Sequence, residues 1–151
     1  MAIQGQSCKQ WCVNEALKIL YRLWGRVRVE EVPWWIGASD VCVVLHRSVR
    51  FYSGDSMKLW EYLACARPVV ATAGEGYGDM VEKLGAGLSV KEEDPVGLAE
   101  GMLRLLRDPL SARKMGQAGR MAIVRSHTWD ERAMELERVC RGALAVVQRA
   151  A

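Results

Sequence analysis

The residues best equipped for chemistry lie in one stretch, Ser53-Gly54-Asp55-Ser56-Met57-Lys58, with Glu61 one helical turn further on. The stretch closes a polar, basic segment that starts at His46, and it opens a helix expected over residues 56–65. A helix start offers unpaired N–H groups and the positive end of the macrodipole, so a phosphate can be held there without a metal. Lys58 adds a charge and Ser56 a hydroxyl. The plainer alternative is that Asp55 or Ser56 caps the helix and Lys58 is solvated. Glu61 sits among Leu59, Trp60, Tyr62 and Leu63. Burying a carboxylate unpaired is costly, so Glu61 must face solvent, a cation or a ligand hydroxyl. An i,i+3 pair with Lys58 explains it without any ligand.

Other groups carry less. Gly74-Glu75-Gly76-Tyr77-Gly78 has the spacing G-x-G-x-G, unlike a dinucleotide fingerprint. Its glycines read as permitting positive φ or close backbone approach to a ligand. His46 falls at the carboxyl end of an expected strand. His127 follows an expected helix and has the position of a structural histidine. Trp34-Trp35 reads as core on a short amphipathic helix. The five cysteines, Cys8, Cys12, Cys42, Cys65 and Cys140, are odd in number and mostly lie in apolar runs, which favours buried free thiols over a disulfide framework. No Ser/His/Asp or Cys/His set stands at a recognisable spacing, and no metal site is expected.

The elements that must position these groups follow from periodicity. Val41-Cys42-Val43-Val44-Leu45 is a continuous apolar run suited to a strand buried on both faces, as in a parallel sheet. Val69-Val70-Ala71-Thr72 follows the helix break at Arg67-Pro68, and Leu88-Ser89-Val90 follows Gly85-Ala86-Gly87. Helices are expected over residues 79–84, 96–107, 110–126 and 130–150. Asp94-Pro95 and Asp108-Pro109 each pair a capping side chain with proline at the first helical position, and Thr128 is placed to cap the last helix. Near the amino end, Glu30-Glu31-Val32-Pro33 starts a short helical piece running to Ala38, and residues 15–24 read as a helix end and a short strand. Alternating strands and helices define an α/β layered domain with a mostly parallel sheet. In such sheets ligands sit outside the carboxyl ends of the strands, here the loops after Leu45 and after Thr72.

The chain has 151 residues, enough for one domain and too few for two. Half its residues are hydrophobic and 26% charged, which excludes a disordered or collagen-like chain. Lys and Arg number 21 against 18 Asp and Glu, spread along the sequence rather than in a patch, so no nucleic-acid partner is expected. The amino terminus lacks the pattern of a signal peptide, and no apolar run approaches a membrane span. A cytoplasmic location is expected, with contact at a membrane surface left open.

Taken together, a collinear series resembles the carboxyl-terminal half of GT-B glycosyltransferases of family 4, the group 1 glycosyltransferases. The series is Gly25-Arg26-Val27 through Glu31-Val32-Pro33, Ala38-Ser39-Asp40-Val41, Met57-Lys58-Leu59-Trp60-Glu61-Tyr62-Leu63-Ala64, Arg67-Pro68-Val69-Val70-Ala71, Gly85-Ala86-Gly87-Leu88, Asp94-Pro95, Arg107-Asp108-Pro109, Met115-Gly116 and Thr128-Trp129. It implies a Rossmann-like parallel sheet with flanking helices over residues 22–151, with residues 1–21 unassigned. It also implies a domain that binds a sugar nucleotide as donor substrate, with no cofactor and no required metal. By this resemblance Glu61 holds the ribose hydroxyls, Arg26 and Val27 lie near the base, and backbone amides around Asp55, Ser56, Met57 and Lys58, after Ser53 and Gly54, face the diphosphate. The family motif has two glutamates separated by seven residues, and Ser53 stands in the place of the first.

The resemblance further implies a truncated domain, without the acceptor half and its active-site histidine, and without the first strands and their phosphate-binding Arg and Lys. Retaining transfer then requires a separate acceptor-domain chain as partner; a homo-oligomer is the other expected association. The rival readings are a non-catalytic α/β interaction module derived from such an enzyme, and a reading frame cut short. The last helix is expected to leave its apolar face uncovered.

Overall fold

The computed structural model describes residues 25–46, 57–73 and 77–150, with side chains to residue 148. The expected helix and strand at residues 15–24, the loop 47–56 and Gly74 and Gly76 lie outside the described residues. The chain divides into two compact units, Met1–Val32 and Pro33–Ala151.

In the first unit, residues 25–28 have no regular structure, and Gly25 adopts φ +74°, which glycine enters without a side-chain clash. A 3-10 turn, Val29–Glu31, follows, where Glu31 N donates to Arg28 O at 3.0 Å and Arg28 Nε pairs with Glu30 at 3.3 Å.

In the second unit, three strands, β1 (Cys42–Val44), β2 (Val69–Thr72) and β3 (Gly87–Val90), form a parallel sheet in the order β1-β2-β3. Cys42 faces Val69 across the first pair, and Val69 faces Gly87 across the second. Helices α1 (Val32–Gly37), α2 (Met57–Ala64), α3 (Tyr77–Lys83), α4 (Pro95–Arg107), α5 (Pro109–Ser126) and α6 (Trp129–Ala150) complete the described elements. α2 connects β1 to β2 and α3 connects β2 to β3, the crossovers that parallel strands demand. All four residues of β2 are buried, as its uninterrupted run of β-branched and small residues requires. Val70 packs with Leu105 of α4 and Ala112 of α5, and Leu88, Val90, Leu98, Met102 and Met115 close around them.

Helix α5 approaches α2 closely because its inward stripe, Ala112, Gly116, Gly119 and Ile123, is small in the middle. A Cβ on Gly116 would run into the Ala66 carbonyl oxygen, and one on Gly119 would lie 2.7 Å from Leu63 Cδ2. Arg120 Nη1 donates to Ala64 O, satisfying one of the carbonyls that the end of α2 leaves open. α2 itself ends in a Schellman-type turn in which Arg67 N donates to Tyr62 O at 3.0 Å. Its left-handed position is taken by Ala66 at φ 56°, whereas Gly85 fills the same role after α3.

The proline-initiated helices begin as expected. Asp94 accepts from Gly97 N at 2.9 Å and Asp108 from Ser111 N at 3.0 Å; Thr128 Oγ1 accepts from Glu131 N at 3.2 Å. The expectation for Trp34-Trp35 fails, because Trp34 is 80% exposed and Trp35 39%. In a helix of six residues Ile36 alone is buried, so the short α1 has too narrow an inward face to take two adjacent indoles.

Candidate functional site

The described part of the expected donor site lies on α2. Leu59 and Leu63, four residues apart, are fully buried and fix the helix's rotation. Met57, Lys58 and Glu61 consequently share the outward face, and all three are exposed. Arg26 and Val27 are exposed in the first unit. Ser53, Gly54, Asp55 and Ser56 lie outside the described residues. Among the described residues, the structure thus sets Met57, Lys58 and Glu61 on one face. Neither Lys58 nor Glu61 lines any of the three cavities below.

A crevice of about 370 Å³ opens at the carboxyl ends of the strands. Leu45 and His46 leave β1 into it, Thr72 ends β2 there, and Val90, Lys91, Glu92, Glu93, Asp94 and Pro95 carry the chain from β3 into α4. Its volume falls within the span typical of small-molecule sites. Thr72 Oγ1 accepts from His46 N at 2.8 Å, so the ends of β1 and β2 are tied across the crevice floor. The His46 ring meets Tyr77 edge-on at 5.8 Å. The rim carries three carboxylates and one lysine, a field that disfavours a phosphate and accepts hydroxyl donors.

Sequence reasoning pointed to the loops after Leu45 and Thr72 but missed the third wall. In the sequence Asp94 read only as a helix cap, and only pairing β3 beside β2 brings residues 91–94 to the same edge. Gly78 of the glycine loop serves the chain itself: a Cβ there would meet Thr72 O at 2.6 Å, so it permits α3 to start hard against β2. The close approach is to the protein's own backbone.

A second cavity, about 390 Å³, lies between α2, α3 and the α5–α6 junction, lined by Met57, Trp60, Met80, His127, Thr128, Trp129 and Arg132. The His127 ring lies tilted at 34° against Trp60 with ring centres 4.9 Å apart, while its backbone N–H donates to Ile123 O at 3.0 Å, the structural role expected of it. A third, about 290 Å³, opens at the other end of the strands beside Asp40, Arg67 and Arg113. Arg67 Nη1 donates to Ser39 O at 3.1 Å.

Cys42, Cys65 and Cys140 are free thiols. Burial pushes the Cys42 thiol up to about 11, against the opposing pull of Arg67. Burial also raises Cys65 and Tyr62, with the Glu61 charge adding to both. Cys140 is exposed, against the expectation of burial, because α6 is exposed where it sits. Among the described residues no three His, Cys, Asp or Glu side chains converge as a metal site, and no helix is long and apolar enough to cross a membrane.

A parallel β-α-β-α-β array with its crevice at the strand carboxyl ends is a Rossmann-like α/β arrangement. The chain belongs to the glycosyl transferases group 1, whose family model matches residues 2–108, taking in most of the amino-terminal segment left unassigned above. An uncharacterized glycosyltransferase of Methanocaldococcus jannaschii is 28% identical over 117 residues, which cover 78% of this chain and 32% of that protein. Sucrose-phosphate synthase from Thermosynechococcus elongatus superposes with a TM-score of 0.70 at 29% identity, over 81% of this chain and 30% of that one. The likeness identifies the fold as that of a GT-B glycosyltransferase domain. The chain spans about a third of the length of the relatives it matches.

Proposed function

We propose that this chain is the donor-binding part of a sugar-nucleotide-dependent glycosyltransferase, retaining in its stereochemistry once an acceptor domain completes it. The observation that carries the reading is the GT-B fold in a chain of this family; the crevice at the carboxyl edge of its sheet suits the donor's sugar hydroxyls rather than its diphosphate. In this reading the amides before Met57, with Lys58, face the diphosphate, where charge builds as the bond from the anomeric carbon to the phosphate oxygen breaks. Glu61 accepts from the ribose hydroxyls. The carboxylate rim of Glu92 and Asp94 suits polyhydroxyl groups of the donor. Transfer requires the acceptor to be held against the donor, so the chain alone binds and does not turn over.

The experiment is calorimetry with UDP, GDP and ADP and their glucose conjugates. Binding of one series is expected, weakened at least tenfold by Glu61→Ala while the fold, read by circular dichroism, is unchanged. No heat with any of the six overturns the donor reading. That result favours a non-catalytic interaction module, for which the exposed apolar residues of α6 are the supporting observation.

A further inference from the structure

The third cavity, about 290 Å³ at the amino ends of the strands, takes no part in the donor reading. Arg67 enters it from the turn between α2 and β2, Arg113 from the start of α5, and Asp40 from the chain before β1. Pro68, Leu105, Leu106, Pro109 and Ala112 supply an apolar wall. Arg67 is partly buried; its Nη1 donates to Ser39 O at 3.1 Å, and its Nε is buried with no hydrogen-bond partner. A guanidinium cannot shed its charge, so holding it partly out of water without a counter-charge is costly.

That counter-charge is missing from the chain. Among the described residues neither Arg67 nor Arg113 joins an ion pair, and Asp40, in the same hollow, reaches neither. Two cations against one carboxylate leave the hollow with one positive charge in surplus. The surrounding field has the same sign: residues 104–114 carry Arg104, Arg107, Arg113 and Lys114, and their single acid, Asp108, is engaged in capping α5.

We propose that this hollow binds a small monocarboxylate, with its carboxylate on Arg67 and Arg113 and an apolar body against Leu106 and Pro109. The planar guanidinium fork matches a carboxylate in shape and in donors. A single negative charge cancels the surplus, whereas a dianionic phosphate exceeds it and meets Asp40. The inference is independent of the donor site, since none of these residues lies on the outward face of α2 or in the crevice.

The probe is benzoate, titrated into the full chain at fixed ionic strength and followed by amide correlation spectra in nuclear magnetic resonance. Half-solvated charge contacts and a small apolar wall set a dissociation constant on the order of 1 mM. Shifts are expected at the amides of Arg67, Leu106, Ala112 and Arg113, and neutral benzamide should not produce them. Arg113→Ala should weaken benzoate about tenfold, and Arg113→Lys, which keeps the charge without the fork, by less. Asp40→Asn removes the like charge, so it should tighten benzoate and admit inorganic phosphate, which the unaltered chain binds more weakly than benzoate. Asp40 and Arg113 are exposed, and circular dichroism checks that these variants keep the fold. Absence of binding up to about 20 mM, or shifts centred away from these residues, overturns the proposal. Equal binding of benzamide, or phosphate preferred over benzoate by the unaltered chain, overturns it as well.

Discussion

At the scale of single residues, the same glycine does opposite things on neighbouring helices. Gly116 of α5 lies against the Ala66 carbonyl, a backbone atom that cannot swing aside, whereas nothing lies within 4 Å of a Cβ on Gly142 of α6. Gly116→Ala should therefore cost about 1–3 kcal/mol by prising α5 from α2. Gly142→Ala should raise helicity and leave the cooperative unfolding midpoint unchanged. Urea denaturation and circular dichroism of the two variants check both signs. Cys42 supplies the matching prediction in pH. Its thiol, ordinarily near 9.0, is held up to about 11 in the folded chain, so the native state keeps a proton that the unfolded state has released. Its contribution is fully present below about pH 9 and is lost as pH rises toward 11, on the order of 2–3 kcal/mol in total. The loss of stability between pH 8.5 and 10.5 should be visibly shallower in Cys42→Ala; parallel curves for the two proteins would show that Cys42 does not carry it.

At the scale of elements, the helices α4 and α5 rest on a device that is local and therefore legible. Asp94-Pro95 and Asp108-Pro109 place a carboxylate acceptor and a preset φ within two residues, and both helices start at the proline. Asp94→Ala and Asp108→Ala should each cost about 1 kcal/mol, and the two costs should add, because the caps share no partner. Chemical denaturation of the single and double variants measures this. Strands were legible for a similar reason: a buried parallel strand needs an unbroken run of β-branched and small residues, and residues 69–72 are one. What the sequence did not reveal is what depends on residues far apart. The crevice joins His46 to Thr72 and both to Lys91–Asp94, and no periodicity announces that three strand ends meet. Trp34-Trp35 misled because apolar type was read as burial, while the inward arc of a six-residue helix holds only Ile36. Glu61 was legible as a carboxylate that must face outward, since Leu59 and Leu63 claim the inner side of the same helix. What it faces there is a matter of the donor proposal.

At the scale of the whole molecule, the second unit combines a core and an appendage with different energetics. The core is the sheet with α2 to α5: Leu59, Leu63, Val69, Val70 and Val81 are fully buried within it, each worth about 1.5–3 kcal/mol of apolar transfer. From Arg132 to Gln148 α6 buries none of its residues; what holds it helical is its own propensity and local pairs such as Glu137–Arg141 at 2.6 Å and Arg132–Glu135 at 2.9 Å. Pairs of that kind contribute only a few tenths of a kcal/mol each. A chain ended after Arg132 keeps Trp129, Thr128 and the Arg132 contact to Ser126 O, and so keeps the second cavity. This truncated chain should unfold in urea at the full chain's midpoint, within about 0.5 kcal/mol. A truncated chain that is less stable would mean that α6 supports the core directly.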